Sequence, residues 1–327
     1  MSRDMAQASQ TETWRVVDRV IAALPCRRAV LRAAIRLPPA LRTGLSYRLL
    51  AAIARRTPSS GLIAGANFGI SARLRCDVPA DRLLALFGKP DFYSGERASL
   101  ELAARFAALG DAFLDIGAHL GFFTLLVRAR APRQVPIYFF EPDPDLYALL
   151  ERNVRTNTLE HVTGLNAAIG AHDGTATFFV NRTDTFSGSL TTLFAAKHEV
   201  TPATVAVRSF ASVAQDLRFE RACVKVDVEG AEQQFLDGAG ASLDRVAFLI
   251  MEVLGPAVSN GFVARMMQTT GFQAYYINDY TLEHSPDGSF TDRPAEYNWL
   301  FCRQAPAELR RTLHGSRFRI ESPRSIP

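Results

Sequence analysis

The chain's most chemically suggestive stretch is Phe113-Leu114-Asp115-Ile116-Gly117-Ala118-His119-Leu120-Gly121-Phe122-Phe123-Thr124. An apolar run enters a turn with two glycines and passes directly into an amphipathic segment, the strand-turn-helix order that receives nucleotide-like ligands in a doubly wound sheet. Gly117 is expected to let a ligand approach the backbone with no Cβ in the way, and Gly121 to allow close packing where the helix starts. Dinucleotide enzymes use G-x-G-x-x-G to cradle a pyrophosphate at a helix N-terminus. Here the spacing is D-x-G-x-x-x-G, with an acid ahead of the first glycine. A carboxylate at Asp115 repels phosphate and suits a cationic ligand such as a sulfonium or an ammonium group. The sign of that charge favours S-adenosylmethionine over a nicotinamide dinucleotide.

Roughly 25 residues on, Ile137-Tyr138-Phe139-Phe140 ends in Glu141-Pro142-Asp143, and a carboxylate at that strand tip can accept hydrogen bonds from both ribose hydroxyls. Pro142 ends the strand cleanly. A third cluster is Lys225-Val226-Asp227-Val228-Glu229-Gly230-Ala231-Glu232. Charges in a central parallel strand are costly unless paired or set at its open end. With a period of two, Lys225, Asp227 and Glu229 are expected on one face. In the usual strand order for this fold, Asp115, Asp227 and Glu252 would line one edge of the sheet. Two readings compete for the cluster: a charge-paired structural network around Lys225, or substrate-facing acids. Substrate-facing acids here could take a proton from a reacting group, and Asp227 and Glu229 are the candidate bases. His119 and His198 are weaker candidates, since a lone histidine is more often structural. No HxxxH or Cys/His grouping argues for zinc, and no metal is assigned.

These residues must be carried by a doubly wound α/β fold, mostly parallel, with an antiparallel edge hairpin and a helical N-terminal extension. Strands are expected at Ala112–Ile116, Ile137–Glu141, Thr163–Ile169, Ala222–Val228 and Val246–Val253. Helices are expected near Gly121–Ala131, Asp145–Thr156, Ala231–Ala239 and Val258–Thr270. Gln273–Ile277 and Tyr297–Cys302 read as two closing strands forming the edge hairpin, joined by a Pro/Gly/Asp-rich loop. Upstream, Ile70–Val78 reads as a strand, and Ala80–Phe87 and Arg97–Leu109 as helices. The domain scheme is a basic helical extension over 1–60, its first ten or so residues disordered, connecting elements over 61–110, the methyltransferase domain over 111–305 and a tail over 306–327, disordered after Gly315. The polar segment Thr183–Thr201 suits either a plain connector or a lid over the acceptor.

Bulk properties agree with a folded enzyme. Of the 327 residues, 48% are hydrophobic and 21% charged, and the net charge is only +4. Basic residues crowd 1–60, where Arg27, Arg28, Arg32 and Arg36 lie among apolar residues at helical spacing, so contact of these helices with a membrane surface or an anionic carrier is one reading and packing on the enzyme the other. The rest of the chain is near neutral and carries no aromatic-basic pattern for nucleic acid. Cys26, Cys76, Cys223 and Cys302 form no CxxC pair, and Cys223 and Cys302 sit in apolar runs as free thiols do. With no apolar run near the roughly 18 residues that span a bilayer and no leader-like start, a cytoplasmic setting is expected.

In combination, Asp115 to Thr124, Glu141-Pro-Asp143, Asn166-Ala-Ala-Ile-Gly170, Lys225 to Glu232 and the strand ending in Glu252-Val253 resemble the successive motifs of the FkbM-type methyltransferases. The resemblance covers about Glu96 to Val253. It implies a class I methyltransferase fold and methyl transfer from S-adenosylmethionine, most often to a hydroxyl of a sugar, glycolipid or secondary metabolite, so that the expected partner is a small-molecule or glycan acceptor. By that similarity Asp115, Gly117, Ala118, His119, Gly121, Glu141 and Pro142 surround the cofactor and Ala167 abuts its adenine. His119 stands where the family usually carries Asn, and its charge is expected to vary near neutral pH. A nicotinamide-dependent oxidoreductase and a non-catalytic cofactor-binding relative are the alternatives on this architecture.

Overall fold

The computed structural model describes residues 63–65, 72–74, 94–181, 188–191, 200–254, 257, 259–289 and 297–321. The chain divides into two compact units, 1–89 and 90–327. In the first, β1 (Ile63–Gly65) pairs antiparallel with β2 (Ala72–Leu74). The expected basic helices of 1–60, the remainder of the strand Ile70–Val78 and the helix Ala80–Phe87 lie outside the described residues.

The second unit opens with α1 (Ser94–Ala107) and then alternates β3 (Phe113–Ile116), α2 (Phe122–Arg130), β4 (Ile137–Phe140), α3 (Pro144–Thr156) and β5 (Val162–Leu165). Three strands follow, β6 (Ala168–Gly170), β7 (Gly174–Asn181) and β8 (Val200–Ser209), then α4 (Phe210–Asp216), β9 (Ala222–Val226) and α5 (Glu232–Ala239). The chain finishes with β10 (Val246–Val253), α6 (Phe262–Thr270), β11 (Gln273–Asn278), β12 (Thr281–Ser285), β13 (Tyr297–Cys302), α7 (Pro306–Thr312) and β14 (Arg319–Glu321). The main sheet has nine strands in the order β14-β12-β11-β13-β10-β9-β3-β4-β5. Pairing is parallel from β5 through β10, and β13 enters antiparallel between β10 and β11. Its middle strands are apolar because both faces are covered: every residue of β3 and β9 is buried. The largest apolar cluster runs from Leu114, Ile116, Val224 and Val226 to Phe210, Phe235, Phe262 and Trp299.

Strand order reverses between β3 and β9. The chain moves outward from β3 to β4 and β5, then returns to β9 on the other side of β3. That crevice, at the carboxyl ends of neighbouring strands, is where an open α/β sheet takes its ligand. It lies between the turn after Ile116 and the turn after Val226.

Four expectations are corrected. The single strand Thr163–Ile169 is two strands in two sheets, because the Asn166 amide donates to the carbonyls of Glu141 and Pro142 and breaks the run there. Gln273–Asn278 and Tyr297–Cys302 do pair antiparallel, but they do not form the sheet edge: the loop between them contains β12, which pairs with β11, and β14 lies outside both. The stretch after Gly315 accordingly contributes a strand. Finally, part of the supposed connector or lid is built into a small sheet of order β6-β8-β7, to which Ser189 is bridged through Phe179. The remainder of Thr183–Thr201, apart from 188–191 and 200–201, lies outside the described residues, and His198 with it.

Candidate active site

The turn between β3 and α2 is held from below. Gly121 caps α2 with a φ of 83° and has no side chain to offer the first helical amides. Asp115 takes that role from the strand: its Oδ2 accepts from the Thr124 backbone N–H at 2.9 Å and from the Thr124 hydroxyl at 2.7 Å. A carboxylate at the positive end of a helix satisfies an otherwise orphaned donor and gains from the helix dipole. On its other side Lys225 Nζ lies 3.9 Å from Asp115 Oδ1. Burial raises the Asp115 carboxyl above its ordinary range, against the opposing pull of Lys225 and Thr124. The Asp115 side chain is fully buried, with Oδ2 committed to the turn and Oδ1 left without a hydrogen-bond donor beside Lys225.

Gly117 has a packing duty as well. A Cβ there would lie 1.8 Å from the Asp227 carbonyl oxygen, so glycine at this position lets two strand ends approach, and it also supports a φ of 72°. Gly121 behaves as expected from packing, since a Cβ would meet Leu150 of α3 at 2.1 Å. Ala118 is buried against Phe139 and Leu150. Both Gly117 and Ala118 donate their N–H to Phe140 O, which fixes the turn against the tip of β4.

That tip carries Glu141. Its Oε2 accepts from His119 N at 2.8 Å and its Oε1 from Asp143 N at 2.9 Å, leaving each oxygen further lone pairs for a ligand. Burial pushes the Glu141 carboxyl up to about 8, against the two backbone donors. Asp143 caps α3 by accepting from Asp145 N and Leu146 N, with Pro144 in the first turn. Asn166 holds the carbonyls of Glu141 and Pro142, and Ala167, buried, follows where β5 ends. His119 adopts a left-handed φ of 52°. Desolvation lowers its imidazole to about 4, with Asp227 opposing, so the expected change of charge near neutral pH is corrected: the ring is neutral there.

Residues 115–274 match the methyltransferase FkbM domain model. This stretch of the chain is similar to FkbM methyltransferase domains. No curated protein matches the chain. Among solved structures, methyltransferase FkbM from Methylobacillus flagellatus KT aligns at 15% identity and a TM-score of 0.40, covering 82% of this chain and 58% of that one. The chain thus spans little more than half the length of that relative. Precorrin-6y C5,15-methyltransferase from Geobacter metallireducens GS-15 aligns at 12% identity and a TM-score of 0.36, over 63% of this chain and 87% of that one. TYW2 from M. jannaschii, solved in complex with AdoMet, aligns at 12% identity and a TM-score of 0.35, over 71% and 80%.

Across the crevice from Glu141, the chain gathers acids around one buried cation. Lys225 Nζ donates to Gly117 O at 3.0 Å and to Asp227 Oδ2 at 3.2 Å, and sits 5.0 Å from the Phe123 ring centre. Asp227 Oδ1 is buried without a hydrogen-bond partner, which leaves an acceptor for a donor from outside the protein. Carboxylate oxygens of Asp227, Glu229 and Glu252 lie within 4.8 Å of one another. Glu229 reaches this group by a turn. Strand β9 ends at Val226 and Glu229 has a φ of 49°, so the expected alternation of Lys225, Asp227 and Glu229 along one strand face is corrected. Burial, with the charges of Asp227, Glu252 and Glu232 adding to it against Lys225, raises the Glu229 carboxyl well above its usual range. Glu232, itself buried, ties the turn to β10 by accepting from Gly230 N and Leu254 N.

The charge-paired reading of the Lys225 cluster is seen directly, because one lysine holds the turn through Gly117 O and Asp227 at once. Sequence reasoning missed Thr124, Asn166, Glu232 and Ser189 as parts of the site. Their partners lie far away or across turns, and only the sheet order brings them close.

Proposed function

We propose that the chain is an S-adenosylmethionine-dependent methyltransferase acting on a hydroxyl of a sugar, glycan, glycolipid or secondary metabolite, with Asp227 or Glu229 taking the acceptor proton. The observation that carries this reading is the strand-end crevice of an FkbM-like domain lined by Glu141 on one side and by Asp227, with its unsatisfied buried oxygen, on the other. Donor-rich, positively charged ligands fit such a lining, and a pyrophosphate would meet carboxylates where it needs amide donors. S-adenosylmethionine, when bound, supplies a methyl group already activated by its sulfonium.

The protein's own share is placement and proton removal. Glu141 is suited to the ribose hydroxyls, with its orientation fixed by the N–H groups of His119 and Asp143. Asp227 is suited to an ammonium group through its Oδ1. Glu229, whose carboxyl favours the protonated form, is suited to receive a proton from an acceptor hydroxyl once ionised. Isothermal titration of the full chain should show binding of S-adenosylmethionine and S-adenosylhomocysteine and none of NAD. Uptake of NAD alone would overturn the proposal in favour of an oxidoreductase. Buried, free Cys223 and Cys302, their thiols pushed up by burial, suit a reducing cytoplasmic setting, and no described helix is long and apolar enough to cross a membrane.

Glu141→Gln provides a sharper check. An amide can accept from only one of the two backbone donors, so the other loses its partner and one ribose contact is weakened. Affinity for S-adenosylhomocysteine is expected to fall roughly 10- to 100-fold, equivalent to about 1–3 kcal/mol. The variant should also change the pH dependence of folding. A carboxyl at about 8 in the folded state, against an ordinary 4.5, makes the folded state bind more protons, so its contribution to stability declines as pH rises from the lower value to the higher. Denaturant titrations at several pH values should show a shallower decline in the variant.

A further inference from the structure

We propose that Ser189 is a positioning residue for Glu229, which makes the small sheet β6-β8-β7 a working part of the acceptor side of the site. The inference rests on the reading of Glu229 as a group that faces the acceptor. Ser189 belongs to a short described segment that its own surroundings fix in place. Its N–H donates to Phe179 O at 3.2 Å and its carbonyl accepts from Phe179 N at 2.8 Å, which binds it to β7. The side chain is 1% exposed. Its Oγ accepts from Thr191 N at 2.9 Å and donates to the Glu229 carbonyl at 2.5 Å, across 40 residues of sequence.

Glu229 needs such a hold. A left-handed φ on a residue with a long side chain is strained by about 1–2 kcal/mol and persists only where neighbours over-determine it. Gly230, with a φ of 95°, and the Glu232 carboxylate that accepts its N–H fix the downstream side of the turn. The oxygen of that same Glu229–Gly230 peptide is held by Ser189, so the amide that follows Glu229 is gripped at both ends. That grip sets the direction in which the Glu229 side chain leaves the backbone, into the field of Asp227 and Lys225 from β9 and its following residue, Glu252 from β10 and Glu232 from α5. Its proton affinity therefore reports its position. Without the hydroxyl, the carbonyl loses its donor, the turn relaxes toward an ordinary backbone conformation, and the carboxylate moves away from the other two.

The test uses the full chain labelled with [5-13C]glutamate, with the Glu229 signal assigned by its loss in Glu229→Gln and followed by carbon NMR against pH. The wild-type signal should titrate above the ordinary glutamate range. Ser189→Ala should bring it back by about tenfold in proton affinity, one pH unit, while the calorimetric affinity for S-adenosylhomocysteine stays within about twofold, since the cofactor contacts assigned above do not involve Ser189. Ser189→Thr, which keeps a hydroxyl, should retain the wild-type titration. If the alanine variant does not fold, Ser189→Cys, close in size but a weak donor, takes its place. An unchanged Glu229 titration in Ser189→Ala, or an equal displacement in Ser189→Thr, would overturn the proposal. Failure of the wild type to bind S-adenosylhomocysteine would count against the methyltransferase reading alone, because the Glu229 titration remains measurable.

Discussion

Lys225→Met should lose about 3–5 kcal/mol of folding stability at neutral pH, the penalty typical of removing one partner from a buried ion pair. Lys225 is 7% exposed and meets three groups with one ammonium: Asp115 at 3.9 Å, Asp227 at 3.2 Å and the Gly117 carbonyl at 3.0 Å. Methionine fills nearly the same volume, so the loss comes from charge. Asp115, fully buried, would keep only Thr124. The pH dependence identifies the cause. Burial already raises the Asp115 carboxyl, and without the lysine it rises further, so the variant should recover stability relative to wild type as pH falls and Asp115 takes up a proton. Lys225→Met combined with Asp115→Asn should be less destabilised than the sum of the two single variants, by about 1 kcal/mol or more, in urea titrations. Strict additivity would mean that the lysine acts through Asp227, the Gly117 carbonyl and Phe123 and not through Asp115.

The sequence announces the site more clearly than the mechanism that builds it. Asp115, Gly117, Gly121 and Glu141 are legible because an apolar strand, a glycine turn and an amphipathic helix are local patterns, and the spacing of two such strand tips follows from one β-α-β unit. Their division of labour is not local. That Asp115 also holds the turn shows only when Thr124 and Lys225 are placed around it, and that Gly117 also admits the Asp227 carbonyl shows only when β3 and β9 are neighbours. The small sheet was hidden for another reason. Pro202 within Val200–Ser209 argues against a strand, since proline cannot donate to a ladder. The structure tolerates it because Phe179, opposite Pro202, directs its N–H and carbonyl to Ser189, so Pro202 sits at a non-hydrogen-bonded position on the β7 side, and β6 pairs with β8 only over Val207–Ser209. Ser189 and its hold on Glu229 depend on that sheet and were hidden with it.

Gly117→Ala separates the two demands made on that glycine, and Gly261 serves as its internal control. Both residues have a φ of 72°. At Gly261 an added Cβ meets nothing within 4 Å, so Gly261→Ala should show the conformational term alone, about 1–2 kcal/mol. At Gly117 the same Cβ would lie 1.8 Å from the Asp227 carbonyl oxygen, a backbone atom that cannot rotate aside. Relief requires β3 and β9 to separate at their carboxyl ends, which would stretch the Asp227 N–H to Ile116 O bond of 3.0 Å and the Lys225 contact with Gly117 O. Gly117→Ala is therefore expected to lose about 3–5 kcal/mol in total. At about 2–4 °C per kcal/mol for a unit of this size, its melting temperature should fall by roughly 10 °C or more, against a few degrees for the control. Affinity for S-adenosylhomocysteine should fall with it at Gly117 and stay at the wild-type value at Gly261, because only the first substitution opens the crevice between the two strand ends. Equal melting losses at the two positions would show that the approach of Asp227 to Gly117 contributes nothing, and the crevice would then have to be held by Lys225 alone.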